Sequence, residues 1–558
     1  MRHHFIVVLV LLLLPFSLGA QEGIDAAQKS PAAGERRTVA VFGSSVAAGW
    51  VTSRAARYDM ENGWAWRLAR LLEPEGYRVE NLSVPGDDTA ALLARIDGHI
   101  ADVEPDFAII ALSLSNEGLG RENGESVFAS FEQGMGRIIE KCRAEGIRPI
   151  VGACYPCDAY EASDYDFLKR MNLLENKWKV PLINFLGAVD DGHGHFPAGY
   201  TYDESHPDNR GHEEMFYAVV PTLFAALDAG KVAPGKLQRS GFTTLADETD
   251  CRPISFVPGQ VMHSFTFGFS LRTRGKGLVA AIGAGESEVW LEIRETGRLV
   301  YRSATGKTIE FGPAVADGAW HDLVLSHRHL EGESLLFVDG AFRFRVDERL
   351  TPREFVLAGP GDGRGPQAPR SADYRDLLVY RSSLNRDEVA ALRTGTMLSG
   401  SLEIYAPLDA AGRKPEPNRP VENLAQSLSE ALAYRSDAAS ALEAIEAAIA
   451  GAALSRTNEM VVVEKRPRKL GTDALDACCG KYEVAPGFCF EVFREGEALF
   501  VKTPGQPEAE LLAETELKFF IKFPLEEITF TFVKNDDGEV ARLLFAVGEE
   551  TTPATKIE

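Results

Sequence analysis

Two periodicities divide the chain. Between residues 37 and 229, short apolar runs alternate with stretches whose apolar positions recur at helical spacing. The runs at 38–42, 78–82, 107–114, 148–153 and 181–184 predict strands. The stretches at 63–72, 89–98, 127–145, 167–179 and 211–227 predict helices, the third stopped by Gly146. Strands alternating with helices predict a parallel sheet covered on both faces. From about residue 240 to 385 the period falls to two, as at 264–272, 289–293, 299–302, 323–326, 335–338 and 342–346. Asp339-Gly340 between two such runs predicts a tight hairpin, and a short helix at 385–392 follows the last strand. Residues 421–454, rich in Ala, Leu, Glu and Ser, predict one or two helices. The end of the chain returns to short strands, six or more over 470–558, which predicts a small barrel.

These patterns set the domain organisation. Residues 1–20 read as a signal peptide: Arg2, His3 and His4 start it, an apolar run at 5–14 is too short to span a bilayer, and Ser17-Leu18-Gly19-Ala20 supplies small residues for cleavage. Residues 21–36 form a flexible leader. The expected domains are 37–229 (α/β), 240–410 (β-sandwich), 411–457 (linker and helices) and 458–558 (β-barrel). The expected location is secreted or periplasmic, and no later segment is long and apolar enough to span a membrane.

The 558 residues carry a net charge of −23, which repels phosphate backbones and argues against nucleic acid as a partner. The seven cysteines are odd in number, so at least one stays unpaired within a monomer. Cys154-Tyr-Pro-Cys157 follows a strand rather than opening a helix, and reads as a loop disulfide or two buried thiols. Cys478-Cys479 is too isolated for a four-ligand metal site. His193 and His195, on a glycine-rich loop, read as solvated rather than metal-binding. Trp50, Trp64 and Trp66 read as core packing, with a sugar-stacking wall as the other possibility. No metal or cofactor is expected.

Four segments of the first domain fit one hydrolytic site. Val41-Phe-Gly-Ser-Ser-Val-Ala-Ala-Gly49 runs a strand into Gly43 and starts a helix just after Ser45, at the carboxyl end of a strand where open α/β sheets bind ligands. Asn81-Leu-Ser-Val-Pro-Gly86 places a glycine N–H after a second strand. Leu112-Ser-Leu-Ser-Asn-Glu-Gly118 puts Asn116 at the end of a buried strand. Tyr202-Asp-Glu-Ser-His-Pro-Asp208 brings Asp203 and His206 onto one loop. A neutral serine needs a base to take its proton, an imidazole serves near neutral pH, and a carboxylate holds that imidazole in one tautomer.

These blocks resemble the SGNH (GDSL) hydrolases over residues 37–229. The resemblance implies a three-layer α/β/α sandwich and hydrolysis of esters, often acyl or acetyl groups on lipids or sugars. It implies Ser45 as nucleophile, His206 as base and Asp203 as its partner. The N–H groups of Ser45 and Gly86 and the Asn116 side chain would form the oxyanion hole. Two positions depart from the family pattern: Ser44 stands where Asp is usual, and Glu117 follows Asn116 where Asp is usual. The spacing to Gly49 selects Ser45 over Ser44.

Residues 240–385 resemble concanavalin A-like, laminin-G-like jelly-roll sandwiches, through Asp317-Gly-Ala-Trp-His-Asp-Leu-Val324, Leu335-Leu-Phe-Val-Asp-Gly340 and Ala372-Asp-Tyr-Arg-Asp-Leu-Leu-Val-Tyr380. Such domains bind glycans or proteins or act as spacers; no distinct calcium cluster stands out. Residues 470–558 resemble small lipocalin-like barrels, through Cys479-Gly-Lys-Tyr-Glu-Val484, Glu497-Ala-Leu-Phe-Val501 and Phe519-Phe-Ile-Lys522. The expected whole is an exported serine ester hydrolase that deacylates a carbohydrate. The alternatives are a glycan-binding or adhesion protein with a degenerate hydrolase domain, and a lipid esterase.

Overall fold

A computed structural model describes residues 36–50, 62–247, 250–284, 287–359, 368–433, 470–485, 488–502, 509–513, 515–521, 528–535, 538–547 and 550–557. The signal peptide, nearly all of the leader, the predicted helices over 434–454 and the boundary near 465–469 lie outside them.

The first domain runs β1 (Arg37–Gly43), α1 (Ser45–Ala48), α2 (Trp64–Leu72), β2 (Tyr77–Asn81), α3 (Thr89–Val103), β3 (Phe107–Ala111), α4 (Leu114–Glu117), α5 (Gly124–Ala144), β4 (Arg148–Gly152), α6 (Ala162–Glu175), β5 (Leu182–Ile183), α7 (Phe185–Val189), α8 (Asn209–Tyr217) and α9 (Leu223–Asp228). The five strands form one parallel sheet in the order β2-β1-β3-β4-β5. Both faces are buried. On β1, Val39 and Val41 join a core with Trp64, Leu68, Phe107 and Phe224. Ala40 and Phe42 join another with Leu92, Ile96, Phe131 and Leu168. This alternation in a strand with no polar face is what a three-layer α/β/α arrangement demands.

The chain leaves β1 toward β2 and then crosses to β3 on the other side. The carboxyl end of β1 is therefore the point where the winding reverses and a crevice opens.

Three sequence expectations need correction here. Strand β3 stops at Ala111 rather than near 114, because Ser113 accepts the Asn116 N–H and caps the short helix α4. Asn116 thus lies in a helical turn beyond the strand. The predicted helix at 211–227 is two, α8 and α9, because Pro221 lacks the N–H and clashes with a continuing helix. Over 421–433 the chain is not helical: Ala431–Ala433 is a strand of the second domain and pairs with Ile254–Phe256. Tertiary pairing overrides helix propensity there.

The second domain is a pair of antiparallel sheets of eight and seven strands. Alternate residues Phe265, Phe267, Phe269 and Leu271 of one sheet pack against Ile282, Phe355 and Leu357 of the other. The Asp339-Gly340 hairpin forms as expected, with both residues at positive φ (55° and 75°). The expected short helix is Arg386–Arg393, capped by Asn385. At the C-terminus, after helix Thr472–Cys478, eight strands from Gly480–Ala485 to Glu550–Lys556 close into a barrel through Tyr482↔Lys556 and Glu483↔Thr555.

The first two domains share a polar seam. Asn172 of α6 donates to Glu388 at 2.8 Å, the Asn184 N–H to Ser401 Oγ at 2.8 Å, and the Ser383 N–H to the Gly187 carbonyl at 2.9 Å. Burial pushes the pKa of Glu388 up to about 8, against the lowering by the Asn385 N–H and the Asn184 and Asn172 side-chain amides.

Candidate active site

Gly43 ends β1 where no other residue fits. A Cβ there would lie 2.4 Å from Ala47 Cβ and 2.5 Å from the Ala111 carbonyl oxygen. This close approach lets the chain turn from β1 directly into α1, so Ser45 stands in the first helical turn. Its N–H is among those that a helix start leaves without an intrahelical partner.

Residues 201–207 form a loop closed by a bridge between Thr201 and Pro207 and by the Tyr202 N–H donating to the His206 carbonyl at 2.9 Å. Asp203 Oδ1 accepts the N–H groups of Ser205 and His206 at 2.8 and 3.0 Å. The His206 ring returns over the same carboxylate, with Nδ1 2.7 Å from Oδ1 and 2.9 Å from Oδ2. Its other nitrogen, Nε2, lies 2.9 Å from Ser45 Oγ across 161 residues of sequence. Burial disfavours the charged form of Asp203, but the hydrogen bonds from the His206 ring and the two N–H groups outweigh it, holding the pKa below the usual carboxylate range. An ionised carboxylate only accepts, so Nδ1 carries the proton and Nε2 presents its lone pair to the serine hydroxyl.

The predicted Gly86 and Asn116 lie on the loops that leave β2 and β3, the strands flanking β1. At Gly86 the chain makes a tight turn: the Asp87 N–H closes on the Val84 carbonyl at 3.1 Å, Pro85 precedes, and Gly86 takes φ 88°. The Gly86 N–H stays outside the turn's own hydrogen bond. Asn116 Oδ1 accepts from Ser113 Oγ at 2.6 Å, which reserves its NH₂ for another acceptor. Among the described residues, neither Gly86 nor Asn116 bonds to Ser45 directly.

Two departures from the family pattern find structural partners. Ser44 is fully buried, with Oγ 3.3 Å from the Tyr155 hydroxyl. Tyr155 also hydrogen-bonds Ser113, and burial pushes its pKa up to about 12. A buried chain of groups thus runs from Ser44, next to Ser45, through Tyr155 and Ser113 to the Asn116 amide, which the sequence pattern did not reveal. Glu117 accepts from the N–H and hydroxyl of Thr89 at 3.0 and 2.8 Å, and from Ser130 at 2.7 Å, tying α4 to the N-terminal turn of α3.

Of the three tryptophans, Trp64 is core, packed on Phe185 at 4.9 Å. Trp66 carries Arg70 over its ring, 5.7 Å from the centroid. Trp50 instead stacks on His206, a site contact that reading it as core had missed. His195 bonds the Tyr160 carbonyl at 2.8 Å, whereas His193 is exposed. Cys154 and Cys157 are two buried thiols rather than a disulfide. Cys157 Sγ lies 3.2 Å from the Glu204 carbonyl, bracing the loop that carries Asp203 and His206. His212, behind the site, accepts the Trp64 N–H, and burial pushes its pKa down to about 3.

Comparison with known proteins agrees with the first domain. A profile of the GDSL-like Lipase/Acylhydrolase family matches residues 41–214. Esterase TesA of Pseudomonas aeruginosa is 33% identical over 117 residues, 21% of this chain and 53% of that protein, so the chain spans about half the length of this curated relative. A crystal structure of TesA, 27% identical, covers 34% of this chain and 98% of its own, with a TM-score of 0.28. A catalytic mutant of Axe2, an acetylxylan esterase from Geobacillus stearothermophilus, is 16% identical and covers 33% and 91%, with a TM-score of 0.26. The N-terminal α/β region is thus similar to the GDSL-like hydrolases over residues 41–214.

Proposed function

We propose that this protein is an exported serine carboxylic-ester hydrolase that works through an acyl-enzyme and deacylates, foremost deacetylates, a carbohydrate. One observation carries the chemistry: Ser45 Oγ, His206 and Asp203 form a continuous hydrogen-bonded chain at the carboxyl end of β1. Ser45 Oγ attacks the ester carbonyl as His206 Nε2 takes its proton, and Asp203 stabilises the imidazolium. The N–H groups of Ser45 and Gly86 and the Asn116 amide receive the oxyanion. His206 then protonates the leaving alcohol. Water, deprotonated by the same imidazole, releases the acid and frees Ser45.

Ser44 and Glu117 have partners away from the triad, which favours a working enzyme over a degenerate, binding-only domain. The carbohydrate part of the reading rests on the antiparallel sandwich beside the hydrolase domain, read as a concanavalin A-like, laminin-G-like module; the barrel is read as lipocalin-like. Export rests on the sequence pattern of residues 1–20.

The test uses the full chain lacking residues 1–20. It should hydrolyse p-nitrophenyl acetate and take up a fluorophosphonate label at Ser45. Ser45→Ala should lower turnover by at least about 10⁴-fold and abolish labelling, while Ser44→Ala keeps both. Equal turnover in wild type and Ser45→Ala would remove the nucleophile. Preference for long-chain p-nitrophenyl esters over acetylated oligosaccharides would replace deacetylation by lipid ester hydrolysis.

A further inference from the structure

Where the hydrolase domain meets the sandwich, three side chains converge from separate elements. Glu214 comes from α8, His263 from the turn before strand Phe265–Thr273, and His329 from just after strand Trp320–Arg328. One ligand atom from each, a carboxylate oxygen and two ring nitrogens, lie within 4.8 Å of one another. Glu214 is only 6% exposed. Its Oε1 accepts from His263 Nδ1 at 2.7 Å, but its Oε2 is buried with no hydrogen-bond partner. A buried, half-satisfied carboxylate is costly unless something positive meets it.

His329 is oriented as a ligand. The His329 Nδ1–H donates to the Leu350 carbonyl at 3.0 Å, which leaves the Nε2 lone pair bare. A carbonyl behind the ring is how proteins orient a metal-binding imidazole. His263 stacks on it, with centroids 3.9 Å apart and planes within 11°, and Tyr217 meets His263 edge-on at 4.7 Å.

We infer that Glu214, His263 and His329 form a site for a divalent transition-metal ion of the zinc class, with water as the fourth ligand. Two imidazoles and one carboxylate suit zinc, whereas calcium and magnesium require oxygen donors. Tetrahedral bonds of about 2.0–2.2 Å place ligand atoms about 3.3–3.6 Å apart. The cluster therefore closes by somewhat more than 1 Å, and one ring tilts out of the stack. Arg349 opposes the ion electrostatically, although its guanidinium is held by the carbonyls of His329 and Leu330. The Glu214 charge must outweigh it. The consequence is mechanical: α8 begins directly after the loop bearing Asp203 and His206, so an ion on Glu214 clamps that helix to the sandwich.

The test strips the full chain with a chelator and adds zinc chloride or cobalt(II). Wild type should bind one more zinc per chain than His263→Gln/His329→Gln, show a zinc-induced rise in melting temperature that the double variant lacks, and give the visible absorption of tetrahedral cobalt. Glu214→Gln should weaken zinc binding at least about tenfold. If the double variant does not fold, the cobalt spectrum of wild type decides alone. Absence of tetrahedral bands, or zinc stoichiometry equal in wild type and a folded variant, overturns the site. These readouts are independent of ester hydrolysis.

Discussion

The imidazole of His206 lies against the indole of Trp50, with ring centroids 6.0 Å apart and planes within 22° of parallel. Asp203 fixes one edge of the imidazole, and Trp50 walls one of its faces. Removing that wall frees the ring to leave the line between Asp203 and Ser45, and misplacement of a general base is paid in turnover. Trp50→Ala should lower kcat for p-nitrophenyl acetate about tenfold with little change in KM, and Trp50→Phe should restore most of it. Steady-state kinetics on the three proteins check this.

The Tyr155–Ser113–Asn116 chain reaches, from inside the core, the amide proposed as an oxyanion donor. Asn116→Ala should lower kcat by about 10²–10³-fold, the usual effect of losing one such donor. Tyr155→Phe keeps the ring but cuts the chain, and should lower kcat by a smaller factor while leaving KM unchanged. Pre-steady-state acylation rates would separate these effects from product release.

Glu175 is fully buried beside Cys154, whose Sγ lies 3.6 Å from Oε1, and its Oε2 has no partner. Burial pushes its pKa from 4.5 up to about 8. A carboxyl raised on folding binds more protons in the native than in the unfolded state, so its contribution to stability falls as pH rises from 4.5 toward about 8. Glu175→Gln removes this titration. Relative to wild type, the melting temperature of the variant should therefore be higher at about pH 8 than at about pH 5. Differential scanning calorimetry at the two pH values checks the sign.

Arg381 and Glu403 form an ion pair with both side chains 1% exposed, at 2.8 Å. Arg381 also donates to the Tyr217 carbonyl at the end of α8 and to the Val261 carbonyl, so the pair joins the sandwich to the hydrolase domain. Arg381→Met leaves a buried carboxylate unpaired and should cost about 3–5 kcal/mol in urea unfolding. Adding Glu403→Met should recover most of that loss, because the apolar pair no longer strands a charge.

The chain's own pattern was enough to place the alternating strands and helices of residues 37–229, the period-two sandwich and the final run of short strands, because burial on a pleated strand or one helix face repeats at fixed spacing. Ser45, Asp203 and His206 were legible too. Ser45 follows a strand end, and Asp203 and His206 share a short loop, but the contact between His206 and Ser45 spans 161 residues and is made by the fold. Asn116 was placed on a strand instead of in α4 because a single serine cap decided between the two, and 421–433 read as helix because its sheet partner lies about 175 residues away. The Trp50 stack, the Ser44–Tyr155 contact and the meeting of Glu214 with His263 and His329 join residues that no period connects. Only folding brings such side chains within a few ångströms, since what selects them is the packing of one element on another and not the repeat along either.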